Sequence, residues 1–221
     1  MFHQVPAVLS PDELRELNAI ADSASFVDGR ISNPHSTVKN NLQLGDQNAA
    51  QRAAKIVADA LLRNEDVVNF AFPRFIAPPM LAKYHVGMAY GLHHDAAFLK
   101  VGGETVRSDI SCTIFLNEPD TYEGGALRVE LGTAEIALRL PAGSAILYPS
   151  SMLHEVTRVT RGERRVALTF LQSRIADPER REWLYELNEV AALEGLTMRS
   201  ENFARLQRIQ ANLLRHWSDA R

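Results

Sequence analysis

One cysteine, Cys112, stands among 221 residues, so the chain can form no internal disulfide and no thiolate-based zinc site. Basic residues are not in excess: 24 Lys and Arg face 27 Asp and Glu, a formal net charge of -3 that disfavours a nucleic-acid partner. No run of about 18 apolar residues is available to span a bilayer. The segment Met1-Phe2-His3-Gln4-Val5-Pro6 has neither the basic n-region nor the apolar h-region of a secretory signal. Together these absences predict a soluble protein of the reducing cytoplasm, with no nucleic-acid and no membrane partner. Histidine is scarce too, at seven residues. With a single thiol, any metal must be held by those histidines and by carboxylates. The remaining composition, 46% hydrophobic and 23% charged, is that of an ordinary globular chain. The length suits one domain or a little more.

The first helix is announced by Ser10-Pro11-Asp12-Glu13, an N-cap serine with proline at N1 and glutamate at N3, followed by Leu14, Leu17 and Ile20. A second helix is predicted over 47–63, with a loop between the two over 26–46. From about Pro78 the apolar period changes to 2. Strands are predicted over 80–86, 109–116, 126–131, 135–140, 144–148 and 165–170, punctuated by Gly102-Gly103, Gly124-Gly125, Pro141-Ala142-Gly143 and Arg161-Gly162. Such a series of short strands reads as an antiparallel sandwich or barrel. The tail returns to helix: Asp177 caps a run to about Glu194, and Ser200 is placed to cap a last helix carrying Phe203, Leu206, Ile209, Leu213 and Trp217. Its apolar stripe suits packing on the barrel or a homodimer contact.

Three places carry candidate chemistry: His93-His94-Asp95, His154 and Arg164. On a strand, residues i and i+2 share a face, so His93 and Asp95 can converge while His94 points away. A third ligand from a distant strand would complete two histidines and one carboxylate. That donor set binds iron(II) and leaves positions open for a co-substrate and dioxygen; zinc is the competing ion. His154 lies far enough along the chain for several strands to intervene. Blander readings stand beside these. Cys112 reads as a small buried hydrophobe. His3, His35 and His216 read as solvated, and His85 as packed or hydrogen-bonded on its strand. Tyr90 suits core or site. Arg107 and Asp109 could pair at the start of a strand or line a substrate mouth.

The longer pattern Tyr84-x-x-Gly87-x-x-Tyr90-x-x-His93-x-Asp95 resembles the prolyl-4-hydroxylase-like iron(II)/2-oxoglutarate oxygenases. So does His154 with Arg164 ten positions later. Arg128, the Gly124-Gly125-Ala126-Leu127 block and Tyr148-Pro149-Ser150-Ser151 are similar to one bacterial branch, the PKHD-type hydroxylases. The resemblance spans about 75–190. It implies a mainly β protein with flanking helices: a double-stranded β-helix, or jelly roll, with N-terminal buttressing helices over 1–175 and a helical C-terminal extension over 176–221.

By the same resemblance, His93, Asp95 and His154 are the iron ligands. Arg164 pairs with the distal carboxylate of 2-oxoglutarate, and Tyr84 hydrogen-bonds that carboxylate. Arg161 and Arg165 flank Arg164, but strand parity turns Arg165 to the opposite face. Fe(2+), 2-oxoglutarate and O2 are the implied cofactors, with L-ascorbate in support. The implied activity is hydroxylation of an unidentified peptidyl residue, amino acid or small metabolite, releasing succinate and CO2. A jelly-roll sensor that binds metal and 2-oxoglutarate without turnover is the alternative. A zinc hydrolase would leave Arg164 without a purpose. Specificity is expected in the loops at 26–46 and 96–108.

Overall fold

The computed structural model describes residues 2–219. Helix α1 (Pro11–Ser23) starts at the predicted capping box: the Glu13 amide donates to Ser10 Oγ, and the Glu13 carboxylate accepts from the Ser10 amide. Helix α2 (Gln47–Arg63), capped by Asp46, buries Ala53, Val57, Ala60 and Leu61. Helix α3 (Glu65–Ala71), capped by Asn64, follows at once and is too short to announce a helical period in the sequence.

The strands, in chain order, are β1 (His3–Val5), β2 (Phe26–Asp28), β3 (Lys39–Asn40), β4 (Leu42–Leu44), β5 (Pro73–Ile76), β6 (Met80–Tyr84) and β7 (Ala89–His93). A hairpin follows, β8 (Phe98–Val101) with β9 (Glu104–Arg107), then β10 (Ile110–Phe115), β11 (Leu127–Leu131) and β12 (Ala134–Leu138). The last are β13 (Ala145–Pro149), β14 (His154–Val156) and β15 (Arg164–Ser173).

The larger sheet runs β1-β13-β10-β15-β6-β4-β2, with β5 also on β15; the smaller runs β12-β11-β14-β7-β3. Every pairing in both is antiparallel. The two sheets face each other across one apolar cluster, in which Ala82, Phe115, Ile146 and Val166 of the larger meet Leu127, Val129 and Val156 of the smaller. The opposite face of the larger sheet, with Leu81, Cys112, Ile114 and Leu147, packs on Leu17, Val57, Leu61 and Phe70 from α1, α2 and α3. The fold is the expected jelly roll with buttressing helices.

This sandwiching explains why all six residues of β10 are buried: one face meets helices, the other the barrel interior. The predicted loops at 26–46 and 96–108 instead hold β2, β3, β4 and the β8–β9 hairpin. Strands of two or three residues are too short to display alternation, and Gly102-Gly103 marks a hairpin turn rather than a loop.

Helix α4 (Pro178–Glu194) is capped by Asp177 as expected, and its buried Arg181 donates to the Ile175 carbonyl at 2.9 Å. Helix α5 (Ser200–Trp217) runs antiparallel to it: Gln210 Nε2 donates to the Leu187 carbonyl, and the Trp183 and Trp217 rings lie 6.0 Å apart. The expected Ser200 cap does not form. Arg199 occupies the N-cap and makes no side-chain cap, while Ser200 is the first helical residue. Among the described residues no helix is long and apolar enough to cross a membrane.

Cys112 lies on the helix-facing side of β10, and burial pushes its thiol up to about 12. Its thiolate is therefore negligible at neutral pH. In native protein at pH 8, its reaction with a disulfide reagent is expected to be limited by unfolding and to become fast in denaturant. Rapid native labelling, followed by absorbance, would contradict its placement.

Candidate active site

The smaller sheet brings the two histidines together. His93 ends β7, His154 begins β14, and the two are register partners. Asp95 departs from the sequence reading in one respect. The strand stops at His93, so Asp95 does not owe its orientation to strand alternation. Its amide instead donates to the Ser150 carbonyl at 3.1 Å, which folds the chain back over the histidines. Asp95 Oδ1 lies 3.9 Å from His93 Nε2, and Oδ2 lies 3.6 Å from His154 Nε2. One ligand atom from each of the three residues falls within 4.8 Å of the others.

The rest of each side chain is tied down. His93 Nδ1 donates to the Gly91 carbonyl at 2.8 Å, and His154 Nδ1 donates to the Met152 carbonyl at 2.9 Å. A carbonyl only accepts, so both Nδ1 atoms carry the proton and both Nε2 lone pairs face Asp95. Burial first, and His154 second, push the His93 pKa down, which keeps that imidazole neutral and able to ligate. The Tyr90 ring stacks on His93 at 3.6 Å and also packs against the barrel core, so it belongs to the site and to the core at once.

Asp95 Oδ2 accepts from Ser111 Oγ at 2.5 Å. Ser111 and Ser150 hydroxyls are 2.9 Å apart, as are those of Ser150 and Ser108. Each hydroxyl has one proton, so the chain runs in one direction, Ser108 to Ser150 to Ser111 to Asp95. All three serines are buried. Sequence reading gave none of them a role: Ser150 stood only within the Tyr148-Pro149-Ser150-Ser151 block, and Ser108 and Ser111 carry no spacing signal. Two imidazole nitrogens and one firmly held carboxylate are a donor set that fits iron(II).

Arg164 starts β15 opposite Tyr84 of β6 and is 1% exposed. Its guanidinium carbon lies 5.0 Å from the Tyr84 ring centre and 5.6 Å from that of Phe115. Its Nε and Nη1 are buried without a hydrogen-bond partner. Gly125, at φ +59°, makes room for it, since an added Cβ there would lie 3.0 Å from Arg164 Cδ. Tyr84 OH accepts from Asn41 Nδ2 at 3.0 Å, which leaves its own proton free to donate. Burial raises the Tyr84 pKa, with Arg164 and Asn41 opposing, so the phenol stays protonated. The His93–Asp95–His154 cluster, Tyr84 and Arg164 line one cavity of about 710 Å³.

Other candidates fall outside this constellation. Arg165 points away, to Asp22 at 2.7 Å and Glu163 at 2.5 Å, and Arg161 pairs with Glu123 on the surface. Arg107 and Asp109 pair with each other at 2.7 Å ahead of β10, which settles their two readings in favour of structure. His85 meets Glu163 at 3.0 Å. His94 is exposed and donates Nδ1 to the Asp95 carbonyl, although it borders the cavity. His3 is not solvated as expected: it lies in β1, stacked 5.0 Å from Phe70 and edge-on to Tyr185.

Residues 79–172 match the family described as the 2OG-Fe(II) oxygenase superfamily. Over 210 residues the chain is 53% identical to a PKHD-type hydroxylase of Sphingopyxis alaskensis, with 95% of this chain and 96% of that protein covered. A Pseudomonas putida prolyl-4-hydroxylase superposes with a TM-score of 0.57 at 21% identity, over 78% of this chain and 92% of that one. A prolyl hydroxylase from Trichoplax adhaerens, solved with a hypoxia inducible factor oxygen degradation domain peptide fragment, gives 0.59 at 16% identity, over 83% and 86%. At these identities the two structures speak to the fold alone.

A buried guanidinium lacking an anion costs stability in the ligand-free protein. Arg164→Met keeps the apolar stem between Tyr84 and Phe115 and removes the charge. Its unfolding free energy, from urea denaturation without ligands, is expected to equal or exceed that of wild type. A loss above about 2 kcal/mol would mean that Arg164 is paired within the protein.

Proposed function

The chain belongs to the PKHD-type hydroxylases of the 2OG-Fe(II) oxygenase superfamily, and from that premise we propose a 2-oxoglutarate-dependent dioxygenase that hydroxylates a small molecule or a peptidyl residue. One observation carries the reading: the unpaired, buried Arg164 guanidinium lines the same cavity as the His93–Asp95–His154 cluster. An interior cation without an anion is complementary to a dicarboxylate whose other end chelates a metal.

His93 Nε2, His154 Nε2 and an Asp95 oxygen are the three ligands in this proposal. The Gly91 and Met152 carbonyls hold the imidazole tautomers, and Ser111 holds the carboxylate. Arg164 receives the distal carboxylate of 2-oxoglutarate through its free N–H groups. Tyr84 donates its phenolic proton to the same carboxylate, since Asn41 already occupies the oxygen as a donor. The apolar walls, including Leu127, Val156 and Val166, keep bulk water from the reacting centre. Iron(II), when bound, supplies the redox chemistry that couples dioxygen and 2-oxoglutarate to hydroxylation, with succinate and CO2 as co-products. Ascorbate would serve as the reductant that keeps the iron divalent.

In this reading residues 1–175 form the catalytic unit. Residues 176–221 form a helical extension whose apolar side chains serve a homodimer in the cytoplasm.

Succinate formation from 2-oxoglutarate, with iron(II), oxygen and ascorbate, tests the activity. Wild type is expected to release succinate steadily, and His93→Ala or Asp95→Ala to lose both iron binding and turnover. Full turnover in either variant would remove that residue from the ligand set.

Arg164→Met is expected to weaken 2-oxoglutarate binding by about 2–5 kcal/mol with iron affinity retained. Equal 2-oxoglutarate affinity in variant and wild type, by isothermal titration, would deny Arg164 its role.

A further inference from the structure

Lys39 is a second cation in the cavity that this chemistry leaves unused. It stands in β3, paired in register with Tyr90 of β7. Its ammonium donates to Ser32 Oγ at 2.7 Å and lies 5.3 Å from the Tyr90 ring centre. Among the described residues no carboxylate lies within ion-pair distance of it, and burial lowers its pKa while the fields of Asp95 and Asp28 oppose that shift, which marks a cation short of water. The Tyr90 ring in turn stacks 3.6 Å from the His93 imidazole. Those two steps bound how far the ammonium can lie from the ligand cluster. The β8–β9 hairpin contributes Lys100 to the lining of the same cavity; this lysine is exposed, and its ammonium is held by Thr105. Asp95 is the sole carboxylate among the residues that line the cavity.

The charge balance of the loaded site then decides the matter. The divalent ion and Arg164 bring three positive charges, and Asp95 with the 2-oxoglutarate dianion brings three negative ones. Lys39 and Lys100 are left without an ion-pair partner beside that neutral centre, since Asp28, the other carboxylate whose field reaches Lys39, is held by Arg30; the whole chain is nonetheless acidic. We propose that Lys39, assisted by Lys100, forms an anion subsite, and that the primary substrate carries an oxyanion, a carboxylate or a phosphate, a few bonds from the carbon that is hydroxylated. This deepens the oxygenase reading and rests on it. A partly desolvated ammonium attracts an anion more strongly than a surface lysine does, because water screens it less. The stack of Lys39, Tyr90 and His93 fixes where that anion sits relative to the metal ligands. A neutral substrate would leave both ammoniums with hydroxyl partners only and no anion in contact.

The test uses the full chain loaded with Co(II), which does not turn over, and with 2-oxoglutarate. Matched probes with one skeleton and different charge are titrated, and the Co(II) absorption bands report their arrival. N-acetylproline against N-acetylprolinamide tests the carboxylate, and O-phosphoserine amide against serine amide tests the phosphate. In at least one pair the anion is expected to bind about tenfold more tightly than its neutral partner. Lys39→Gln is expected to erase that preference, Lys39→Arg to restore most of it, and 2-oxoglutarate affinity to stay at the wild-type value in both. No preference in either pair, or a preference that survives Lys39→Gln, overturns the subsite. Weakened 2-oxoglutarate binding in Lys39→Gln also overturns it, by assigning Lys39 to the co-substrate. Protein that takes up neither Co(II) nor 2-oxoglutarate overturns the oxygenase reading and the subsite together.

Discussion

A guanidinium enclosed by aromatic rings, with two of its nitrogens lacking any acceptor, is an expensive thing to fold. Much of the surrounding structure serves to keep it there. The β15–β6 register sets Arg164 against Tyr84, Gly125 withholds a side chain where Arg164 Cδ passes, and Asn41 occupies the Tyr84 oxygen. Gly29 in turn makes room for Asn41, because an added Cβ would fall 1.8 Å from Asn41 Oδ1. A cost carried this far into the interior is consistent with a charge kept for a ligand rather than for the fold.

The two sheets divide the labour. The larger, clamped between helices and barrel interior, carries Arg164 and Tyr84 on its inner face. The smaller carries both histidines, and the chain leaving it carries Asp95. The serine chain joins these halves, because Ser111 stands on β10 of the larger sheet and donates to Asp95. A displacement between the sheets would therefore disturb the carboxylate as well as the distance from Arg164 to the histidines. Rigid packing around a preorganised polar centre is how such a scaffold holds its geometry.

The parts legible in the sequence were those with a repeating or spaced signal. The capping box before α1, the period of 2 in β11 and the parity argument that separates Arg164 from Arg165 all correspond to what the structure holds. Asp95 was placed beside His93 for a partly wrong reason: strand parity pointed the right way, but a backbone contact with Ser150 orients it. Ser108, Ser111, Asn41 and Lys39 were invisible, and Ser150 stood only within a motif block, since each gains its meaning from a partner distant in the chain. His3 misled for a similar reason. Proximity to a terminus suggests solvent, yet Phe70 and Tyr185 cover it.

Each histidine of the cluster is steadied by a carbonyl two residues earlier in its own segment: Gly91 for His93 and Met152 for His154. The tautomer is thus set within a three-residue stretch of chain. Ring and carbonyl travel as a cassette, so sequence drift elsewhere in either strand can shift its position without changing which nitrogen is offered. Changes in the loops and the outer wall can then leave the nitrogen offered by each ring unaltered.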